Sequence, residues 1–522
     1  MNKQILHLLL AIYCLGCSRG PSIDNTLHLA LETSPNKLDP ALVVDVAEGQ
    51  ICSMIFQRLV RFSPEGVVVP DAALSWEILN RGATYRFHLD RRAKFSDGRG
   101  VVAEDVVASF SRVLAPGSRS SRQWVLGRIR GSAPFSRGET GSVAGLDAPD
   151  DSTVVVELDE PFRPFLQLLA MPAASIVPVA VADAAGDGFA AEPVGSGSWQ
   201  LSEWARGDFL SLRPNPHHPG PRPALEEIRF RIIPEAFTRI AEFESGTLDM
   251  MKVPLAELPR FLESAEWKDH LQSRPELRVL YIGLNNGRGP LRDVRVRKAL
   301  NLAVDVDRLI EVLGQGQATR ATGAIPPSLA GFRLREGYPF DPVEAKRMFA
   351  EAGFPDGFEM EIWQRESPEG NRLVEAIQGY LLQAGVTVTI VKREWSAFKE
   401  AVSQGRVDAF FLDWYADYPD AENFLFPLFH SSNAGPGGNR AFVRDARVDA
   451  LIERAQRAYE PGAGERLYAA ADSLVYELAP WIYLYFPTTF VAVSPRVENY
   501  VFPVVYLGED FSSVRKRSKG NR

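Results

Sequence analysis

Cysteine is almost absent from this 522-residue chain, which has three: Cys14, Cys17 and Cys52. So few cannot make a disulfide framework, and a chain this long does not need one. Cys52 sits in the apolar run Ile51–Phe56, which reads as a buried helix, so an inert structural thiol is expected. Excess positive charge is also missing. Lys and Arg total 58 against 66 Asp and Glu, a formal net charge of −8. That balance lacks the basic footprint of a nucleic-acid binder. Enzyme signatures are missing too: there is no G-x-S-x-G elbow, no H-E-x-x-H helix and no G-x-x-x-x-G-K-[ST] phosphate loop. Gly314-Gln315-Gly316-Gln317 lacks the third glycine of a dinucleotide fingerprint and reads as a helix terminator. His217-His218 lies in a proline-rich loop with no cysteine or acid at ligand spacing. No cofactor, no metal and no enzymatic activity are therefore expected.

Long apolar runs are missing as well. Ile5 to Leu15 is mostly apolar behind Lys3, but a spanning helix needs about 20 such residues. Residues 1–16 read instead as a signal peptide. The sequence Cys14-Leu15-Gly16-Cys17 resembles a bacterial lipobox, with Cys14 where Leu is usual. That resemblance implies lipidation of Cys17 and a membrane anchor. What remains has the composition of a soluble globular protein, 45% hydrophobic and 24% charged. Its length predicts two or three lobes rather than one core.

The pattern along the chain alternates strands and helices. Leu27–Leu31 and Tyr85–Leu89 read as strands, residues 48–60 and 103–114 as helices, and Val154–Leu158 as a strand. Residues 116–150 are rich in Gly, Ser, Pro and Arg and read as loop. Asp341-Pro342-Val343-Glu344 is the clearest helix start: Asp caps, Pro takes the first turn and Glu sits three residues after the cap. A helix over 371–384 leads to a strand from Val386 to Ile390. A helix over about 396–404 leads to a strand over 407–412. This alternation predicts α/β layers with a mainly parallel sheet. The basic stretch Arg515–Lys519 reads as a solvated tail.

Seven segments, in order, resemble the family 5 extracellular solute-binding proteins of ATP-driven importers. They are Leu38-Asp39-Pro40; Val69-Pro70-Asp71 running to Ser75-Trp76; Phe87-His88-Leu89 with Lys94–Gly98; Ala103-Glu104-Asp105-Val106; Gly195–Trp199; Ser245–Asp249; and Asp293-Val294-Arg295 running to Leu300. In the fourth, Val102 stands where the family has a capping Thr. The resemblance implies an α/β, two-lobed periplasmic-binding-protein fold of type II with an inserted third subdomain. One lobe would combine 24–47, 176–278 and 483–514. The insert would cover 48–175, and the second lobe 279–482. The protein would act at the periplasm or cell surface as a monomer. Its partners would be a short peptide, the permease and ATPase subunits of an ABC importer, and the membrane through its anchor.

A free peptide carries an ammonium and a carboxylate, and burying either unpaired is costly, so a binding cleft needs a fixed acid and a fixed base. The candidate acid is Asp417, in Asp413-Trp414-Tyr415-Ala416-Asp417 just beyond a predicted strand. By resemblance it matches the residue that grips the peptide ammonium. The candidate base is Arg365, at the end of Ile362-Trp363-Gln364-Arg365, matching the residue that holds the carboxylate with its guanidinium fork. Trp395 and Trp414 match the two tryptophans that wall the ligand. Tyr415 and Ala416 complete the candidate set. Val402 and Phe411 stand where long-peptide binders carry basic residues, which favours a short ligand. An oligosaccharide or metal chelate in the same fold, or a periplasmic hydrolase, are the rival readings.

Overall fold

The computed structural model describes residues 25–517. The expected leader, residues 1–16, and the expected lipidation site Cys17 lie outside the described residues.

The chain folds around three main sheets. The first has four strands in the order Thr26–Leu31, Glu227–Ile232, Phe209–Pro214 and Trp199–Ala205. Its apolar face buries Leu27, Leu29, Leu210, Leu212, Ile228 and Phe230 over the helix Val46–Ile55. The second is an antiparallel sheet of two hairpins in the order Ala73–Leu79, Thr84–Leu89, Thr153–Glu157 and Leu146–Asp150. The helix Ala103–Leu114 covers it, burying Val106, Phe110 and Val113 at helical spacing. Val102 brings no side-chain cap, but Asp105 reaches back to the Val102 N–H at 2.9 Å, so half of a capping box survives.

The third sheet has eight strands. Its spine is the 13-residue strand Trp481–Val493. The first half of that strand pairs with Arg278–Leu284, and the second half pairs with Met250–Lys252 and Leu271–Pro275. Ile482 and Leu484 therefore join one core, while Val491 and Val493 join the core under the first sheet. One strand thus belongs to both bodies, which is how a two-lobed fold keeps its halves in register while leaving a crevice beside the strand.

The expectation of a mainly parallel sheet needs correction. Only Phe358–Arg365 with Val386–Arg393, and Phe358–Arg365 with Ala409–Tyr415, run parallel here. These are the strands linked by the helices Pro368–Gln383 and Trp395–Ser403, as parallel crossovers require. The other strands arrive from distant parts of the chain and pair antiparallel.

Local expectations fare unevenly. Asp341 caps the helix Pro342–Glu351 by accepting the Glu344 N–H at 2.9 Å. Gln315 and Gly316 take positive φ after the helix Val306–Val312, as a terminator should. Cys52 is fully buried, and its thiol is pushed up by burial and by the nearby acids Asp39 and Glu48. The helix expected over 48–60 stops at Ile55, and Val60–Phe62 is a strand. The stretch 116–150 is not all loop: it holds the helix Ser132–Ser136 and the strand Leu146–Asp150. The strand expected over 407–412 lies at Ala409–Tyr415. The basic stretch does not begin as a solvated tail. Arg515–Lys516 pairs with Val497–Glu498, and the Lys516 ammonium is buried on Asp249 at 2.8 Å. A buried carboxylate needs a cation, and that need outweighs the preference of Lys for solvent.

Candidate functional site

Three parallel strands present their carboxyl ends together. Ile362 and Trp363 lie beside Ala409 and Phe410, and Arg365 lies beside Arg393. Ligands of open α/β sheets sit beyond such ends.

Arg365 closes its strand and is exposed. Among the described residues it makes no hydrogen bond or ion pair. Its guanidinium carbon stands 5.6 Å from the centre of the Trp395 ring, a cation–π distance. Trp395 opens the helix after the neighbouring strand, where Glu394 caps by accepting the Ser396 N–H at 2.8 Å. The Trp395 ring is 43% exposed although large, and it stacks on Phe398 at 5.8 Å. Arg365 and Trp395 thus come together, as a cation laid on an open aromatic face.

The Asp417 end is built differently. Trp414 and Tyr415 pair with Val279 and Arg278, and the Ala416 N–H then donates to Leu277 O at 2.8 Å. Ala416 is buried. Asn423 Oδ1 accepts the Trp414 indole N–H at 3.3 Å and the Asp417 N–H at 3.0 Å. One amide therefore fixes both the tryptophan and the acid. Behind it, Glu422 accepts from the Tyr418 hydroxyl and from Gln456 Nε2, and burial pushes its carboxyl up to about 7. Asp420 accepts from Arg163 at 2.8 Å.

Asp417 itself already holds a cation. Arg122 Nη1 lies 3.2 Å from Asp417 Oδ1, and Arg122 Nη2 donates to Val44 O at 3.3 Å. Burial raises the Asp417 carboxyl above its ordinary range, and the Arg122 charge opposes that rise.

A cavity of about 270 Å³ opens beside the spine strand, near the low end of the ~300–1,000 Å³ of typical ligand pockets. Tyr415, Glu276, Lys252, Arg274, Tyr500 and Tyr506 are among its walls. A second space of similar size shares Lys252, Glu276 and Thr489 with it. Tyr415 is 41% exposed, and its hydroxyl is pushed up to about 12 by desolvation and by Glu276. Tyr506 ties this cavity to the acid, because burial and, after it, the Asp417 charge raise its hydroxyl. Of the residues expected from sequence, Tyr415 lines this cavity, while Asp417, Arg365, Trp395, Trp414 and Ala416 are not among its walls.

Sequence reasoning missed the charged ladder below the cavity. Arg278 Nε meets Asp413 at 2.7 Å, Arg278 Nη1 meets Glu276 at 3.6 Å, and Lys252 meets Glu276 at 3.5 Å. Asp413 stood in the quoted motif, but nothing local links it to Arg278. Arg122 was missed as well. Among the described residues no three His, Cys, Asp or Glu side chains gather as a metal site.

Comparison with known proteins agrees with this architecture. The profile of the bacterial extracellular solute-binding proteins, family 5 (middle), matches residues 67–436. Heme-binding protein A of Haemophilus influenzae is 30% identical over 502 residues, covering 92% of this chain and 90% of that one. The dipeptide-binding protein of Escherichia coli is 30% identical over 498 residues, covering 91% and 92%. The solved structure of HbpA2 from Haemophilus parasuis superposes with a TM-score of 0.84 at 28% identity, covering 94% of this chain and all of that one.

Proposed function

The chain belongs to the family 5 bacterial extracellular solute-binding proteins, and from that premise we propose that it captures a short, dipeptide-like ligand between its lobes and hands it to an ABC permease and ATPase. Membership makes it a binding protein of an importer and not an enzyme. The ligand class is the finer step. The observation that carries it is an open base and an acid at the carboxyl ends of two neighbouring parallel strands: Arg365, exposed and without an ion pair among the described residues, and Asp417, beyond the end of the adjacent strand. Arg365 would take the ligand carboxylate in its fork, and Asp417 would face the amino end. Trp395, Trp414 and Tyr415 would supply apolar walls. The lobes would be the segments 24–47, 176–278 and 483–514 on one side and 279–482 on the other, with 48–175 inserted. Closure would be a hinge motion about the shared spine strand.

Calorimetry against a panel of dipeptides, longer peptides and oligosaccharides tests the ligand class. Dipeptides should bind most tightly. Binding of sugars alone would replace this reading. For the anchor, Cys17→Ala should turn a membrane-associated protein into a freely exported one. Unchanged detergent partitioning of that variant would remove the lipid anchor.

A further inference from the structure

Resting on the short-peptide reading, we propose that Arg122 is a built-in competitor for the ligand's amino group and so sets how strongly this protein demands a free amine. Asp417 is the acid at the amino end, and its Oδ1 is already engaged by the Arg122 guanidinium at 3.2 Å. The other oxygen has no hydrogen-bond partner among the described residues.

Arg122 is not a wandering surface side chain. The Ser118 hydroxyl accepts the Ser120 N–H at 3.2 Å, and the Ser120 hydroxyl accepts the Arg122 N–H at 3.1 Å. Gln123 Nε2 then donates to Ala115 O at 3.3 Å. The backbone that carries Arg122 is therefore tied down on both sides. The side chain bridges Asp417 and the Val44 carbonyl, three stretches far apart in sequence.

The consequence is electrostatic. A lone buried carboxylate gains the whole of a charge-assisted hydrogen bond when an ammonium arrives. A carboxylate that already carries a guanidinium gains only the difference between two cations, and the displaced guanidinium must find water or another acceptor. The ammonium is then a weak determinant of affinity, and ligands with a blocked amino end are tolerated. Removing Arg122 would turn Asp417 into the unpaired acid that a strict free-amine site needs.

The experiment compares one dipeptide with its N-acetyl form by calorimetry on wild type, Arg122→Met, Arg122→Gln and the double variant Arg122→Met with Asp417→Asn. Wild type should prefer the free amine by less than about 5-fold, and each Arg122 variant by about 30-fold or more, the scale of a desolvated charge contact. The double variant should fall back to the wild-type ratio. Arg122→Gln keeps a polar chain of similar length in case Met disturbs the loop. A ratio that stays the same when Arg122 is replaced overturns the proposal. So does a wild-type preference already above 30-fold, or an equal loss for both ligands. Those outcomes leave the peptide reading standing. Failure of every protein to bind any peptide removes both.

Discussion

The two ends of the site solve opposite problems. At one, Arg365 carries its charge in the open, on the face of a half-exposed tryptophan, with no ion pair among the described residues. At the other, Asp417 is half-buried, fixed through Asn423 and already matched by Arg122. The difference lies in burial. An exposed guanidinium is solvated and can wait for a ligand at little cost. A half-buried carboxylate is less free to do so, because its partial desolvation is offset by a partner within the protein. The open end is thus free to contribute binding energy, while the closed end has already spent its charge on the fold. On the proposed reading, Arg365 would be the principal anchor and the amino end a lesser one.

The largest expected effect lies at the open end. Arg365→Met keeps the apolar stem over Trp395 but removes the fork. Truncating one partner of a hydrogen-bonded charge pair typically costs about 2–5 kcal/mol, so binding of a peptide with a free carboxylate should weaken by about 30-fold to several thousand-fold. A peptide amide should lose little. Calorimetry with both ligands checks this, and equal losses for acid and amide would place the carboxylate elsewhere. Because Arg365 is exposed, the variant should melt within about 2 °C of wild type.

The next effect belongs to the closed end and appears in stability. Glu422 lies beneath Asp417, with its carboxyl pushed from an ordinary 4.5 up to about 7 by burial. Below pH 4.5 it is protonated whether folded or unfolded. As pH rises toward 7 the unfolded chain releases this proton while the folded chain keeps it, so stability falls through that window and is lost above it. The linked change is at most about 3.4 kcal/mol. Glu422→Gln removes it. Relative to wild type, the variant should gain about that much stability between pH 5 and pH 8, read from denaturant midpoints. Glu509, also raised to about 7 by burial, titrates in both proteins and cancels in the comparison. A parallel pH dependence in the two proteins would show that Glu422 is solvated.

Much of the scaffold was legible because it is written in local chemistry. The cap Asp341, the alternation of Val386, Val388 and Ile390, and the turn at Gly316 each act within a few residues. The recurrent motifs turn out to be joints. Asp39 holds Arg112 at 2.9 and 2.6 Å, Asp71 accepts the Arg58 N–H at 2.9 Å, and Asp293 caps its helix through the Arg295 N–H at 2.8 Å. Asp249, fully buried, gathers Lys516 at 2.8 Å and Arg496 at 3.2 Å. These acids mark the fold and do not touch the cavity beside Tyr415. What could not be read is what depends on distant pairing. Arg122 lies 295 residues from Asp417, in a stretch whose Gly, Ser and Arg content says only that it turns. The direction of the strands around the spine is likewise set by returns from far along the chain. No periodicity reports it.

The smallest effect tests whether the closed end is neutral. On the proposed reading, the amino end of the ligand in wild type would meet a guanidinium and a carboxylate whose charges cancel. Asp417→Asn leaves the guanidinium behind, so that end becomes cationic. Asn has nearly the shape of Asp, and the Asn423 bond to the backbone N–H of residue 417 does not depend on the side chain. A free-amine dipeptide should therefore bind about 3- to 10-fold more weakly, the scale of a screened and partly exposed charge contact rather than a fully buried one. Its N-acetyl form should be unchanged, so the preference between the two narrows or reverses. Raising the salt concentration should shrink the difference, since a repulsion across partly solvated space is screened. A loss of 100-fold or more for the free amine alone would mean that the carboxylate gives the ammonium a full charge contact despite Arg122. The two ends would then be equal anchors.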